Sequence, residues 1–240
     1  ALATSIQLLG QKVPFGTRLL FEAKNVPGFV LGLEVCEDVW APLPPSTYAA
    51  LAGATVIANL SASDVTVGKA DYRRLLCASQ SAKCVAGYLY SAAGPGESTT
   101  DLAWDGHALV YENGARLAES MRFPLQGGFI TADLDLDHLR QERMRWTTFG
   151  DCVQAHRGQL EGYRRIEIEL DVPADPVRLD RSIERFPYVP SDPARRDERC
   201  AEVYDIQVEA LRKRLAATGL KRVVIGISGG LDSTQVALVA

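Results

Sequence analysis

The sequence predicts a layered α/β protein, and three observations carry that prediction. Short runs of apolar and β-branched residues alternate with stretches of helical periodicity through the first part of the chain. Inside that alternation, two runs joined by Asn113-Gly114 read as a hairpin. Near the end, the run Val223-Val224-Ile225-Gly226-Ile227 leads straight into Ser228-Gly229-Gly230-Leu231-Asp232-Ser233 and a new helical pattern, a strand–loop–helix order.

Taken in order, residues 29–35 and 55–59 read as buried strands, each with a polar exit. Residues 69–83 have the pattern of a helix, and 84–90 that of the next strand. Function is expected to gather at those strand exits. Strands are then predicted over 107–112, 116–119 and 129–134, joined by Asn113-Gly114 and Gly127-Gly128 turns. A locally antiparallel passage within an alternating chain makes the sheet mixed. Residues 135–146 fit a helix capped by Asp135, and 162–170 fit one more strand. Five of the twelve prolines then fall between Pro173 and Pro193, in a charged stretch that sustains neither a helix nor a sheet, as a linker would. Residues 197–218 resume as a long amphipathic helix beginning in the mixed-sign run Arg195-Arg196-Asp197-Glu198-Arg199, and 222–227 as a compact strand.

Bulk composition narrows the function classes. Hydrophobic residues at 47% and charged residues at 23% supply enough apolar surface for a core. A net charge of -4 gives no general attraction for phosphate backbones or anionic lipid, so no nucleic-acid or membrane partner is expected. The five cysteines are odd in number and show no Cys-x-x-Cys pair, which argues against a disulfide framework or zinc and suits a reducing cytoplasm. Cys77 and Cys84, at helical spacing, are expected to face the core. His107, His138 and His156 show no metal-like spacing and are expected at the surface or at strand edges. The start at Ala1 and the stop at Ala240 inside a helical pattern read as cuts in a longer chain.

Two constellations carry chemistry. Cys36 sits at the polar exit of a predicted strand, followed by Glu37-Asp38. A thiol at such a junction faces a pocket, and the Glu37 backbone N–H can point at an oxyanion. A buried structural cysteine is the plain alternative at a strand end. In Ser228–Ser233 the two glycines permit left-handed backbone and close approach, while successive N–H groups and the following helix N-terminus form an anion cradle. The loop lacks the Gly-Lys-Ser/Thr ending suited to γ-phosphate transfer and has no Gly-x-Gly-x-x-Gly.

The loop resembles that of the N-type ATP pyrophosphatases, ligases that adenylate a substrate and release pyrophosphate. Glu34-Val35-Cys36-Glu37-Asp38-Val39-Trp40 resembles the nucleophile segment of the nitrilase superfamily, and Ala54-Thr55-Val56-Ile57-Ala58-Asn59-Leu60-Ser61 the strand-and-serine segment that follows it. The two in succession resemble the glutamine-dependent NAD synthetase family. That resemblance takes in the distinctive stretches 97–106 and 184–190.

The resemblance implies a nitrilase-like four-layer α-β-β-α sandwich, present as most of its C-terminal part over 1–171, a linker over 172–196, and the start of a Rossmann-like ATP-pyrophosphatase domain over 197–240. It implies Cys36 as nucleophile with the Glu37 N–H in its oxyanion hole, and Ser63 and Lys69 holding the α-amino and α-carboxylate end of glutamine. Gly226, Ile227, Ser228, Gly229, Gly230, Leu231, Asp232 and Ser233 would surround the phosphates of ATP, with Mg2+ accompanying the nucleotide and no protein metal ligand identified. The family's Glu base and oxyanion Lys lie further upstream than residues 1–35 extend, and neither Lys12 nor Lys24 takes that role. Residues 1–240 alone are therefore expected to release no ammonia from glutamine. Glutamine, deamido-NAD and ATP are the implied partners, in a homo-oligomer. A stand-alone amidase and a non-catalytic assembly module remain alternatives.

Overall fold

The computed structural model describes residues 3–97, 101–183, 186 and 188–240, so parts of the stretches 97–106 and 184–190 lie outside the described residues. The chain forms two compact units, Ala1–Arg181 and Ser182–Ala240.

In the first unit, a hairpin of β1 (Ser5–Leu8) and β2 (Gln11–Pro14) precedes β3 (Leu19–Ala23), β4 (Val30–Val35), a 3-10 helix (Cys36–Trp40), α1 (Pro45–Leu51), β5 (Val56–Ser61), α2 (Lys69–Cys84) and β6 (Gly87–Ala92). Then come β7 (Ala108–Glu112), β8 (Ala115–Glu119), α3 (Leu136–Arg145), α4 (Thr147–Ala155), α5 (Arg157–Leu160) and β9 (Arg164–Ile168). Seven strands form one sheet in the order β8-β7-β6-β5-β4-β3-β9. The β4–β5, β5–β6 and β3–β9 pairs are parallel, and β3–β4, β6–β7 and β7–β8 antiparallel, so the sheet is mixed as the sequence predicts.

The strand alternation decides which face is covered. Gly32, Ile57, Tyr88 and Tyr111 lie in one cross-strand row, as do Glu34, Asn59, Tyr90 and Leu109 in the next. These rows face α1 and α2, where Ala49, Ala50, Cys77 and Cys84 complete the core. Both core cysteines are therefore where their spacing predicts. Gly32 allows this packing, because a Cβ there would stand 3.0 Å from Ala49 Cβ and 3.1 Å from Ile57 Cδ1. The opposite face leaves Leu33, Val35 and Leu60 exposed.

Several predicted elements shift. Helix α2 continues to Cys84 and closes with Val85 at φ 46°, so the next strand begins at Gly87 rather than at 84; an apolar run alone cannot separate a buried helix end from a strand. Residues 129–134 form no strand. They are held through side chains instead: Leu134 covers Gly87, and Arg181 donates to the Asp133 carbonyl at 3.3 Å and to Glu112 at 2.9 Å. Asn113 and Gly114, at φ 46° and 84°, make the expected tight turn between β7 and β8. The Asp135 carboxylate accepts from the His138 N–H at 2.9 Å and caps α3 as predicted. The β1–β2 hairpin, β3, α1, α4 and α5 carry no distinct sequence prediction; these elements are short and their patterns weak.

The second unit holds α6 (Pro193–Thr218) and α7 (Leu231–Val239). Helix α6 starts four residues before the predicted position, because Asp192 caps it by accepting from the Ala194 N–H at 3.1 Å and Pro193 sits at its first position. Residues 222–227 form no strand. Val224 and Ile227 are exposed there, and no neighbouring strand among the described residues offers a ladder. No helix among the described residues is long and apolar enough to cross a membrane.

Candidate functional site

Cys36 stands where β4 ends and the 3-10 helix begins, in left-handed backbone at φ 53°. A non-glycine residue in that region costs energy and persists only where its surroundings hold it. Those surroundings are specific. The buried Asn59 side chain donates to the Cys36 carbonyl at 3.2 Å and lies 3.4 Å from Glu34 Oε1. The Asp38 carboxylate accepts from the Val35 N–H at 2.7 Å. Glu34, itself buried, accepts from the Ser46 N–H at 3.0 Å and from the Tyr88 hydroxyl, which ties the strand end to α1 and β6. Burial, and the Glu34 charge after it, pushes the Tyr88 hydroxyl well above its ordinary range, so it stays a donor. Glu37 follows Cys36 in the first turn of the 3-10 helix, where backbone N–H groups lack intrahelical acceptors.

A cleft of about 360 Å³ opens in front of Cys36, lined by Cys36, Glu37, Trp40, Ala62, Ser63, Asp64 and Lys69. All four residues predicted for the amidase half thus meet in one cavity. The ends of β4 and β5 and the start of α2 supply them, which is why residues 33 apart in sequence share it. Ser63 is buried, near the Tyr90 hydroxyl, yet its Oγ makes no hydrogen bond. Lys69 Nζ pairs with Asp64 Oδ1 at 2.7 Å and lies 5.5 Å from the Trp40 ring centroid. The hydrogen bond from Lys69 and its charge hold the Asp64 carboxyl below its ordinary range. The sequence marks Trp40 only as the end of the Glu34–Trp40 segment and does not single out Asp64. Asp64 could have been found as the residue beside Ser63 and five before Lys69.

The other thiols offer less. Burial pushes Cys77 up to about 12 and Cys84 up to about 11, so neither yields a thiolate near neutrality. Lys24 is engaged with Glu167 at 2.7 Å, and neither it nor Lys12 lines the cleft.

Behind the cleft lies an ion network that no sequence motif announced. Arg73, one turn along α2 from Lys69, donates from one guanidinium nitrogen to both Asp105 oxygens at 2.9 and 3.1 Å. Arg122 adds a third bond to Asp105 at 2.9 Å. Burial alone would raise Asp105, but the Arg122 and Arg73 hydrogen bonds outweigh it and keep the carboxyl below its ordinary value. His107 is fully buried, which overturns its predicted surface or edge placement: its partners lie on α2 and β8, and pairing across a sheet is invisible in linear spacing. Arg73 can only donate, so His107 Nδ1 at 3.1 Å accepts from it and Nε2–H donates to Glu119 at 2.8 Å. Burial lowers His107 and fixes this neutral form. Arg73 also stands 5.4 Å from the ring centroid of Tyr90, whose hydroxyl donates to Ser61 at 2.9 Å. His138 is exposed, and His156 is half-buried with its ring edge on Tyr48, in line with the prediction.

In the second unit, Gly229 takes φ 85° and Gly230 precedes the first turn of α7. Ser233 ties the loop together, accepting from the Ser228 N–H at 3.2 Å and donating to the Gly230 carbonyl at 3.1 Å. Thr234 also returns to that carbonyl, at 2.9 Å. No side chain caps α7, so its first N–H groups are open to an anion. Among the described residues no group of three or more His, Cys, Asp or Glu side chains converges to hold a metal.

Comparison with known proteins agrees along nearly the whole chain. The protein-family model described as NAD synthase matches residues 203–240. A glutamine-dependent NAD(+) synthetase of Mycobacterium bovis is 55% identical over 236 residues, covering 98% of this chain and 35% of the relative. One from Mycobacterium leprae is 53% identical over 229 residues, covering 95% of this chain and 34% of that relative. Among solved structures, a carbon-nitrogen hydrolase from Helicobacter pylori superposes with a TM-score of 0.44 at 19% identity, covering 56% of this chain and 50% of that one. The chain spans about a third of the length of the curated relatives it matches.

Proposed function

We propose that this chain carries the nucleophile of a glutamine-hydrolysing site and the start of an ATP-using site, in a ligase that forms NAD from deamido-NAD, ATP and glutamine. The observation that carries the reading is Cys36 in left-handed backbone at a strand exit, opening on a cleft shared with Glu37, Ser63 and Lys69. Cys36 thiolate attacks the glutamine side-chain carbonyl, with the oxyanion facing the Glu37 N–H. The leaving nitrogen takes up the proton given up by the Cys36 thiol and departs as ammonia, a thioester remains, and water releases glutamate and restores the thiol. Ser63 and Lys69 hold the amino-acid end of the substrate.

At the second site the loop 226–233 would receive ATP phosphates on its open N–H groups. The nicotinate carboxylate of deamido-NAD takes AMP from ATP with release of pyrophosphate, and ammonia displaces AMP to give the amide. Among the described residues no side chains converge to hold a metal, and Mg2+ would come with the nucleotide, held by phosphates and water. The reaction requires the ammonia released at the first site to reach the second, and we place the full-length protein in the cytoplasm as a homo-oligomer. The exposed apolar face of Leu33, Val35 and Leu60 suits a sandwich with a second sheet, as in the nitrilase-like fold.

The test is nitrogen-source dependence in the full-length protein carrying this sequence. Cys36→Ala should abolish NAD formation from glutamine and spare formation from ammonia. Retained glutamine-driven synthesis would make Cys36 structural. Loss of both would favour the assembly-module alternative, and ammonia release from glutamine without any ATP-dependent NAD formation the stand-alone amidase.

A further inference from the structure

We infer that Asn59 is the positioning residue of the oxyanion hole: its side-chain amide grips the Cys36 carbonyl and so aims the Glu37 N–H into the cleft, an assignment that rests on the reading of Cys36 as an amidase nucleophile.

The Cys36–Glu37 peptide is planar and trans, so its C=O and its N–H point in opposite directions. Asn59 lies beside Glu34 in the β4–β5 register, on the buried face of the sheet, and its Nδ2 donates to the Cys36 carbonyl at 3.2 Å. That grip turns the carbonyl inward, toward the sheet, and the Glu37 N–H the other way. Cys36 and Glu37 both line the cleft, and this N–H belongs to the first turn of the 3-10 helix, where it has no intrahelical acceptor. It is left for an oxyanion formed beside the thiol.

The amide is oriented for this task. Its second hydrogen lies toward Glu34 Oε1 at 3.4 Å, and Glu34 is itself held by the Ser46 N–H at 3.0 Å and by the Tyr88 hydroxyl. Both hydrogens of the amide are thus engaged, while its buried oxygen has no hydrogen-bond partner among the described residues. An apolar side chain of the same branching would fill the position without leaving that acceptor bare, so packing does not account for an amide here. Donation to the Cys36 carbonyl does. Rotating the peptide plane would change ψ of Cys36 and φ of Glu37 and leave the Cys36 Cβ–Sγ bond where it is. Asn59 therefore governs the oxyanion donor more than the thiol.

The experiment compares two reactions of Cys36 in the full-length protein: ammonia release from L-glutamine, which forms an oxyanion, and alkylation by iodoacetamide, a displacement at carbon that forms none. Asn59→Leu removes the donor and keeps the branching; Asn59→Ala removes it without overpacking, should the leucine variant fail to fold. In either variant kcat for ammonia release should fall about a hundredfold with KM for glutamine unchanged, since the oxyanion forms only after binding, while alkylation slows by no more than about threefold. Tyr88→Phe, which loosens Glu34 without touching the Cys36 carbonyl, should leave the ratio of the two rates at its wild-type value. Equal losses in both reactions, no loss in either, or a shift of the ratio in Tyr88→Phe as large as in the Asn59 variants overturns the inference. Ammonia release surviving in Cys36→Ala would overturn the amidase reading itself, a different result from a dead Cys36→Ala beside an Asn59→Leu of full kcat.

Discussion

At the scale of single residues, the candidate site is a cysteine held in an unfavourable backbone by buried polar partners. Cys36 and its following residues were legible because a thiol, an acidic pair and a tryptophan after an apolar run form a dense local pattern. Glu34 and Asn59, which hold that backbone, were not, since their roles arise only when β4 and β5 pair in register. His107 was misplaced for the same reason. Its burial makes a pH prediction. Because its folded pKa lies below the ordinary 6.5, the unfolded chain takes up a proton first, and stability present above pH 6.5 is lost as pH falls toward the folded value. A second loss follows below about pH 4.5, where Glu119 and Asp105, both held low by arginines, meet protonation in the unfolded chain first. Thermal melts between pH 7.5 and 3 should show both steps, and His107→Gln should remove the first while leaving the second. A melt profile flat from pH 6.5 to 5 would contradict the buried neutral imidazole.

At the scale of elements, the distance between helix and sheet is set by small residues. Gly32 on β4 meets Ala49, Ala54 and Ile57, and this closeness lets α1 lie over the strand that ends in Cys36. Gly32→Ala forces a Cβ to within 3.0 Å of Ala49 Cβ, so overpacking should cost about 1–3 kcal/mol by urea denaturation. Site-resolved alkylation of Cys36 should change at the same time, because the Ser46 N–H of α1 donates to Glu34, two residues before Cys36. An unchanged unfolding midpoint would mean that α1 moves without penalty. Elements predicted with strong periodicity or explicit turn and cap residues appeared in place, as with α2, the Asn113-Gly114 hairpin and the Asp135 cap. Those that differ, residues 129–134 and 222–227, have strand composition but pair with no strand among the described residues, and composition cannot supply a partner.

At the scale of the whole molecule, the chain divides after Arg181, inside the proline-rich stretch that the sequence marks as a linker. We propose that this stretch joins two domains that fold separately. Limited trypsin digestion should cut first between 172 and 196 and leave the preceding piece resistant, with its thermal transition intact. Early cleavage within 19–168 would contradict that. The sequence by itself determined the α/β class, the mixed sheet, the strand exit bearing Cys36 and the loop 226–233, because each depends on local periodicity or on residues adjacent along the chain. Only the tertiary structure decided that Ser63, Asp64 and Lys69 share a cleft with Cys36 and that His107 is buried in a chain of ions. Both depend on hydrogen bonding and burial between distant residues, which exist only once the sheet has closed around them.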